Sequence, residues 1–109
     1  MKKISIFLGL IFILIFYGFK VLAAEGEKIF KKLNCSSCHY QKDEGFAPSL
    51  KSISKAYKNK KEELIKYLKG EAKAIIDPDR EDFMKPYIKQ TKNLENKDSE
   101  KLAEYLLSF

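Results

Sequence analysis

Both cysteines of this chain and its only histidine fall within five consecutive residues, Cys35-Ser36-Ser37-Cys38-His39. C-x-x-C-H is the pattern to which haem is covalently attached. Two thiols three positions apart can add across the vinyl groups on adjacent pyrroles of one porphyrin, giving two thioethers. His39, next in the chain, is then carried under the ring, where its imidazole binds iron as the proximal ligand. Two cysteines and one histidine scattered at random over a chain of this length would fall in this arrangement in roughly 2 of 10,000 cases.

Other chemistries fit these residues less well. A structural zinc site asks for four tetrahedral ligands, and only Cys35, Cys38 and His39 are on offer. A thioredoxin-like dithiol needs a strand before the cysteines and a helix after them, and the chain shows no strand pattern. A plain Cys35–Cys38 disulfide in an oxidising compartment is the bland reading, and it leaves the adjacent histidine unexplained.

The rest of the chain must position this motif. Its 109 residues fit one compact domain. With 33% charged and 45% hydrophobic residues it is unlike a disordered, collagenous or polytopic membrane chain. Two cysteines exclude a disulfide-rich scaffold, and one histidine excludes any site that needs two. Met1-Lys2-Lys3, the apolar run Ile4 to Phe19 and the small-residue exit Val21-Leu22-Ala23-Ala24 read as a secretory signal cut after Ala23 or Ala24. A retained membrane anchor is the alternative, since the run is close to the lower length limit for a spanning helix. No cysteine precedes Cys35 to carry a lipid. The expected division is therefore a signal over residues 1–24 and a domain over 25–109. Setting aside Lys2, Lys3 and Lys20 leaves 18 basic and 15 acidic groups, so the net charge falls from +6 to about +3.

Within the domain, the spacing predicts short helices joined by loops. Ile29, Phe30 and Leu33 share one face of a helix over Glu27–Asn34. Leu64, Ile65 and Leu68 do so over Lys61–Lys69, with Gly70 as C-cap. From Asn96 to Ser108, Leu102, Tyr105, Leu106 and Phe109 follow helical spacing, with Asn96 or Asp98 as N-cap. The fold class expected is all-α, with three to five short helices. A domain of about 85 residues is small enough that something besides side chains is expected to fill its centre, and haem is the candidate.

The chain resembles the class I c-type cytochromes, in particular the short bacterial electron carriers. The likeness runs from Gly26-Glu27-Lys28-Ile29-Phe30 into Cys35-Ser36-Ser37-Cys38-His39, through Gly45-Phe46-Ala47-Pro48-Ser49-Leu50 to Met84-Lys85-Pro86, and ends on the helix with Leu102, Tyr105 and Leu106. Only the first motif is highly specific. The resemblance implies a small cytochrome c fold wrapped around one haem c, bound through Cys35 and Cys38, and a crossing of first and last helices where Gly26 and Phe30 meet Tyr105. It also implies that the Pro48 carbonyl fixes the His39 ring.

The sixth iron ligand decides between electron transfer and small-molecule binding. There is no second histidine, and once the signal is removed Met84 is the only thioether in the chain. The resemblance also puts the axial methionine there, in a loop before the last helix. A lone methionine is otherwise a flexible core filler. Two features depart from the family pattern: Lys85 separates Met84 from Pro86, and the Trp that often contacts a haem propionate is missing, leaving Arg80, Tyr67 or Tyr87 for that role. The expected pocket side chains are Phe46, Leu50, Ile53, Leu64, Leu68, Ile75, Ile76, Phe83, Tyr87 and Ile88.

With His39 and Met84 as the iron ligands, the expected function is that of a periplasmic monohaem electron carrier and not an enzyme. An open-site gas sensor and a haem subunit of a larger oxidoreductase are the alternatives. Lys28, Lys31, Lys32 and Lys42 flank the attachment motif, and Lys85, Lys89 and Lys92 flank Met84. They read either as a solvated surface or as a basic ring that steers acidic redox partners such as a reductase complex, an oxidase or a periplasmic enzyme. A monomer is expected, with membrane contact only through a retained N-terminal segment. Nucleic acid is not an expected partner, because basic and aromatic residues do not interleave along one face.

Overall fold

The computed structural model describes residues 21–109. Most of the expected signal, residues 1–20, lies outside them. Residues 21–24 belong to a helix that covers 21–32 of the described residues, here α1. Four more α-helices follow: α2 (Leu50–Ala56), α3 (Lys61–Leu68), α4 (Glu81–Thr91) and α5 (Asn96–Leu106). Short 3-10 turns occupy Cys35–Ser37 and Pro78–Arg80. The described residues contain no strand, as expected of an all-α domain. None of their helices is long and apolar enough to cross a membrane.

Helix α1 starts earlier than the spacing predicts and stops at residue 32, short of Asn34. Asn34 takes a left-handed conformation, φ 65°, which a short polar side chain tolerates. That single residue turns the chain out of α1 and into the Cys35–Ser37 turn. Helix α3 follows the prediction closely. Gly70 has φ 74°, its N–H donates to Tyr67 O, and the Glu71 N–H donates to Lys66 O. This is the paired bonding of a Schellman stop, which needs a residue free to enter the left-handed region. At the start of α5 the N-cap is Glu95, with no side-chain cap bond, and not Asn96 or Asp98. Asn96 Oδ1 instead accepts from Lys69 Nζ at 2.6 Å, so its side chain ties α5 to the end of α3.

Two helices went unpredicted. Helix α2 is opened by Ser49, whose Oγ accepts from the Ser52 N–H at 3.1 Å, a regular N-cap bond. In α4, Pro86 sits inside the helix and disguises it as loop. Its missing N–H removes the one bond that Asp82 O would have accepted, while the apolar spacing of Phe83, Met84, Tyr87 and Ile88 remains helical.

The core lies where α5 packs on α2 and α3. Leu50, Tyr57, Leu64, Leu102 and Ala103 are almost completely buried there. Helix α1 crosses α5 at Gly26, where a Cβ would stand 2.0 Å from Lys101 O and 2.8 Å from Tyr105 Cβ. Only a residue without a side chain permits that approach. One turn on, the Phe30 ring packs against Tyr105 with centroids 5.3 Å apart. The crossing fixes the end of α1, and with it the motif that follows.

Candidate haem site

Cys35, Cys38, His39, Pro48 and Met84, each singled out by sequence, line one cleft. It encloses about 1270 Å³ of atom-free space, counted out to its open mouth. The proximal wall is short in sequence. Cys35 and Cys38 are both half-buried, with no disulfide between them. Burial pushes the Cys35 thiol up to about 11, with a smaller contribution in the same direction from Cys38. The Cys38 and His39 N–H groups both donate to Cys35 O, at 3.3 and 3.1 Å, which curls the motif so that all three side chains share one end of the cleft. His39 Nδ1 lies 2.7 Å from Pro48 O. A carbonyl only accepts, so Nδ1 is the donor, which leaves Nε2 as the nitrogen free to bind a metal.

The loop between His39 and Pro48 is tied down at both ends. Leu50 N–H donates to Tyr40 O at 2.7 Å and Lys51 N–H to Gln41 O at 3.1 Å. The Glu44 carboxylate accepts from the Ser52 hydroxyl and from Ser49 Oγ and N–H. Those bonds, Ser52's first, hold the Glu44 carboxyl below the ordinary carboxylate range.

The rest of the cleft lining is assembled from scattered segments. Met84 stands in the first turn of α4, not in a loop, and is half-buried. Tyr57 and Tyr67 lie on the same cleft. Burial is the main cause that raises both phenols, Tyr67 to about 12, so both are neutral donors at physiological pH. The Ile75 N–H donates to Tyr57 Oη at 3.3 Å and the Ala74 N–H to Glu81 Oε1 at 3.0 Å, which holds the segment leading into α4.

Of the expected pocket side chains, Phe46, Ile53, Leu64, Leu68, Ile76, Phe83 and Tyr87 line the cleft, while Leu50, Ile75 and Ile88 do not. Leu50 is core, 1% exposed, and Ile75 faces solvent. Arg80, Tyr67 and Tyr87, the candidates for a propionate contact, all border it. Sequence reasoning missed Tyr57, Phe30, Leu102 and Leu106 as cleft residues. Tyr57 was within reach, since Leu50, Ile53 and Tyr57 repeat at helical spacing after Pro48-Ser49, but α2 had not been recognised.

Among the described residues no group of acidic, histidine and cysteine side chains is arranged to hold a bare metal ion. The apolar slot, with two cysteines, a histidine and a methionine on its lining, instead fits an iron porphyrin. The cytochrome c family model matches residues 23–109. The chain belongs to the cytochrome c family. Comparison with curated proteins gives no match. As a cytochrome c, the chain carries haem c bound covalently through Cys35 and Cys38, has the small cytochrome c fold, and is an electron-transfer protein.

Proposed function

We propose that this cytochrome is a periplasmic monohaem carrier of single electrons, with His39 and Met84 as the axial ligands of its iron, and that it breaks no bonds. The observation that carries the reading is that the His39 ring, oriented by Pro48 O at 2.7 Å, and Met84 border one cleft. When bound, haem supplies a one-electron ferrous–ferric couple. The chain's residues supply the rest. Pro48 O accepts a hydrogen bond from Nδ1–H, which fixes the imidazole orientation and makes Nε2 a better electron-pair donor to iron. Met84 offers a soft thioether, which favours the ferrous state. Ile53, Leu64, Leu68 and Ile76 keep water from the cleft and disfavour the additional positive charge of the ferric state, so they too raise the potential.

Residues 1–24 act in this reading as an export signal, and covalent attachment suits an exported protein that would otherwise lose its cofactor by dilution. Lys28, Lys32, Lys42, Lys89 and Lys92 are all exposed. Lys31 and Lys85 pair with Glu27 at 3.0 Å and Asp82 at 2.8 Å. The remaining lysines steer acidic redox partners to the cleft, an attraction that weakens with salt.

The test is an optical spectrum of the holoprotein in both oxidation states, before and after Met84→Ala. The parent should show a low-spin spectrum with a weak far-red absorption when oxidised, and the substitution should abolish that absorption and lower the potential. An oxidised spectrum unchanged by Met84→Ala would remove Met84 from the iron.

A further inference from the structure

The mouth of the cleft carries a contact set that neither attachment nor ligation of the haem requires. Phe46 lies in the loop between His39 and Pro48, and Phe83 immediately precedes Met84. Their rings meet edge to face, with centroids 4.9 Å apart and planes at 86°, although the two side chains are 59% and 60% exposed. Arg80, the only arginine of the chain, stands at the N-cap of α4. Its Nη1 donates to Phe46 O at 2.7 Å, and its guanidinium carbon lies 5.5 Å from the Phe46 ring centroid. Asp77, 3.8 Å from Arg80 Nε, steadies the far side of the guanidinium. Among the described residues, Arg80 to Phe46 is the one hydrogen bond joining residues 40–48 to residues 74–84.

We propose that Arg80, Phe46 and Phe83 form a latch that closes the Met84 side of the cleft onto the His39 side and sets how readily the sixth iron position opens to outside ligands. The geometry supports a latch over a decorative surface cluster for two reasons. The carbonyls of Phe46 and Pro48 lie two residues apart on one stretch of chain, and one holds Arg80 while the other holds His39. On the facing segment, the latch groups at 80 and 83 bracket the first turn of α4 just before Met84. Opening the cleft therefore separates the aromatic pair and breaks the arginine bond. Lysine would not replace Arg80, because a planar guanidinium stacks on a ring while also donating to a carbonyl. The three are positioning residues, and the latch rests on the reading of Met84 as an iron ligand.

Carbon monoxide uptake by the ferrous holoprotein at neutral pH tests it, since uptake requires Met84 to leave. Removing an aromatic pair shifts an equilibrium by roughly 2- to 12-fold. Phe83→Ala and Phe46→Ala should each speed uptake by about that factor, and Arg80→Gln should also accelerate it. The Phe46→Ala/Phe83→Ala double variant should be little faster than Phe46→Ala alone, because Phe46→Ala already removes the ring contact that Phe83→Ala removes, along with the Arg80 stacking. Phe83→Tyr, which keeps the ring, should restore the slow parent rate, an outcome that a change in overall stability would not produce. Where truncation to alanine unfolds the protein, Phe83→Leu keeps the apolar bulk and loses only the ring pairing. Parent-like uptake in the single variants, or a double variant equal to the product of the singles, would overturn the latch. Met84→Ala separates the two readings: if it does not accelerate uptake, the ligation reading fails; if it does while the latch variants stay slow, only the latch fails.

Discussion

On one part of the cleft lining, the near wall, the thiols, the imidazole and the carbonyl that orients it all come from residues 35–48, whereas the rest of the lining, the far wall, includes Tyr57, Tyr67, Ile76 and Met84 from four separate stretches of chain. The near wall is held by bonds of short range: Cys38 and His39 to Cys35, His39 to Pro48, Leu50 to Tyr40. The far wall depends on contacts across the fold, such as Ile75 to Tyr57 and the packing of α3 on α4. A wall closed by local bonds loses little chain entropy when it forms, while one drawn from distant segments waits for tertiary packing. Attachment of the cofactor is therefore a local property, and the rest of the cleft lining is a property of the whole fold.

Four changes would break or sharpen that contrast. The largest effect is expected from Cys35→Ala, which should leave at most one thioether and so a far smaller fraction of chain carrying haem through denaturation; mass measurement of the denatured protein reads it. If haem stayed fully attached, the near wall would not be what holds the cofactor. Gly26→Ala drives a Cβ against the Lys101 backbone at 2.0 Å and should cost about 3 kcal/mol, the upper end for overpacking, seen as a lower denaturant midpoint. Because the crossing positions the end of α1, that loss should reach the near wall as well as the far one.

Tyr57→Phe removes the acceptor of the Ile75 N–H on the far wall and should cost about 1 kcal/mol. Amide exchange should quicken around residues 74–81 and stay unchanged around residues 35–48; equal changes on both walls would erase the distinction between them. The smallest effect belongs to Glu44→Gln. The Glu44 carboxyl titrates lower in the folded protein than its ordinary 4.5, so its contribution is fully present above about pH 4.5 and is lost as pH falls through the lowered value. Parent and variant should differ slightly at pH 7 and converge in acid. A difference that widened in acid would show that Glu44 does not tie down the near loop.

Much of the near wall was legible because its determinants are types and spacings. Cys35, Cys38 and His39 needed only counting, and the family resemblance supplied Pro48 as the carbonyl beside the ring. Helix α3 was read to within a residue, since a hydrophobic face and a glycine stop are both local signals. Met84 was singled out by elimination among two methionines and by the resemblance, but its setting was not legible: the resemblance implied a loop, whereas Met84 stands in α4, where the packing of the rest of the helix outweighs the bond that Pro86 removes. The N-cap of α5 was misplaced for a related reason, because Asn96 is recruited by Lys69 from another helix.

The amino-acid sequence alone determined the cofactor, its two points of attachment and the helical character of the chain, because thioether spacing and helical periodicity are short-range and survive without a fold. Tertiary structure decided that Met84 borders the cleft and that it does so from a helix. It also decided which aromatic residues border the cleft, and that Arg80 reaches Phe46 across 34 positions. Those are meetings of residues far apart in the chain, and their partners are chosen by the packing of α5 on α2 and α3 and by the Gly26 crossing.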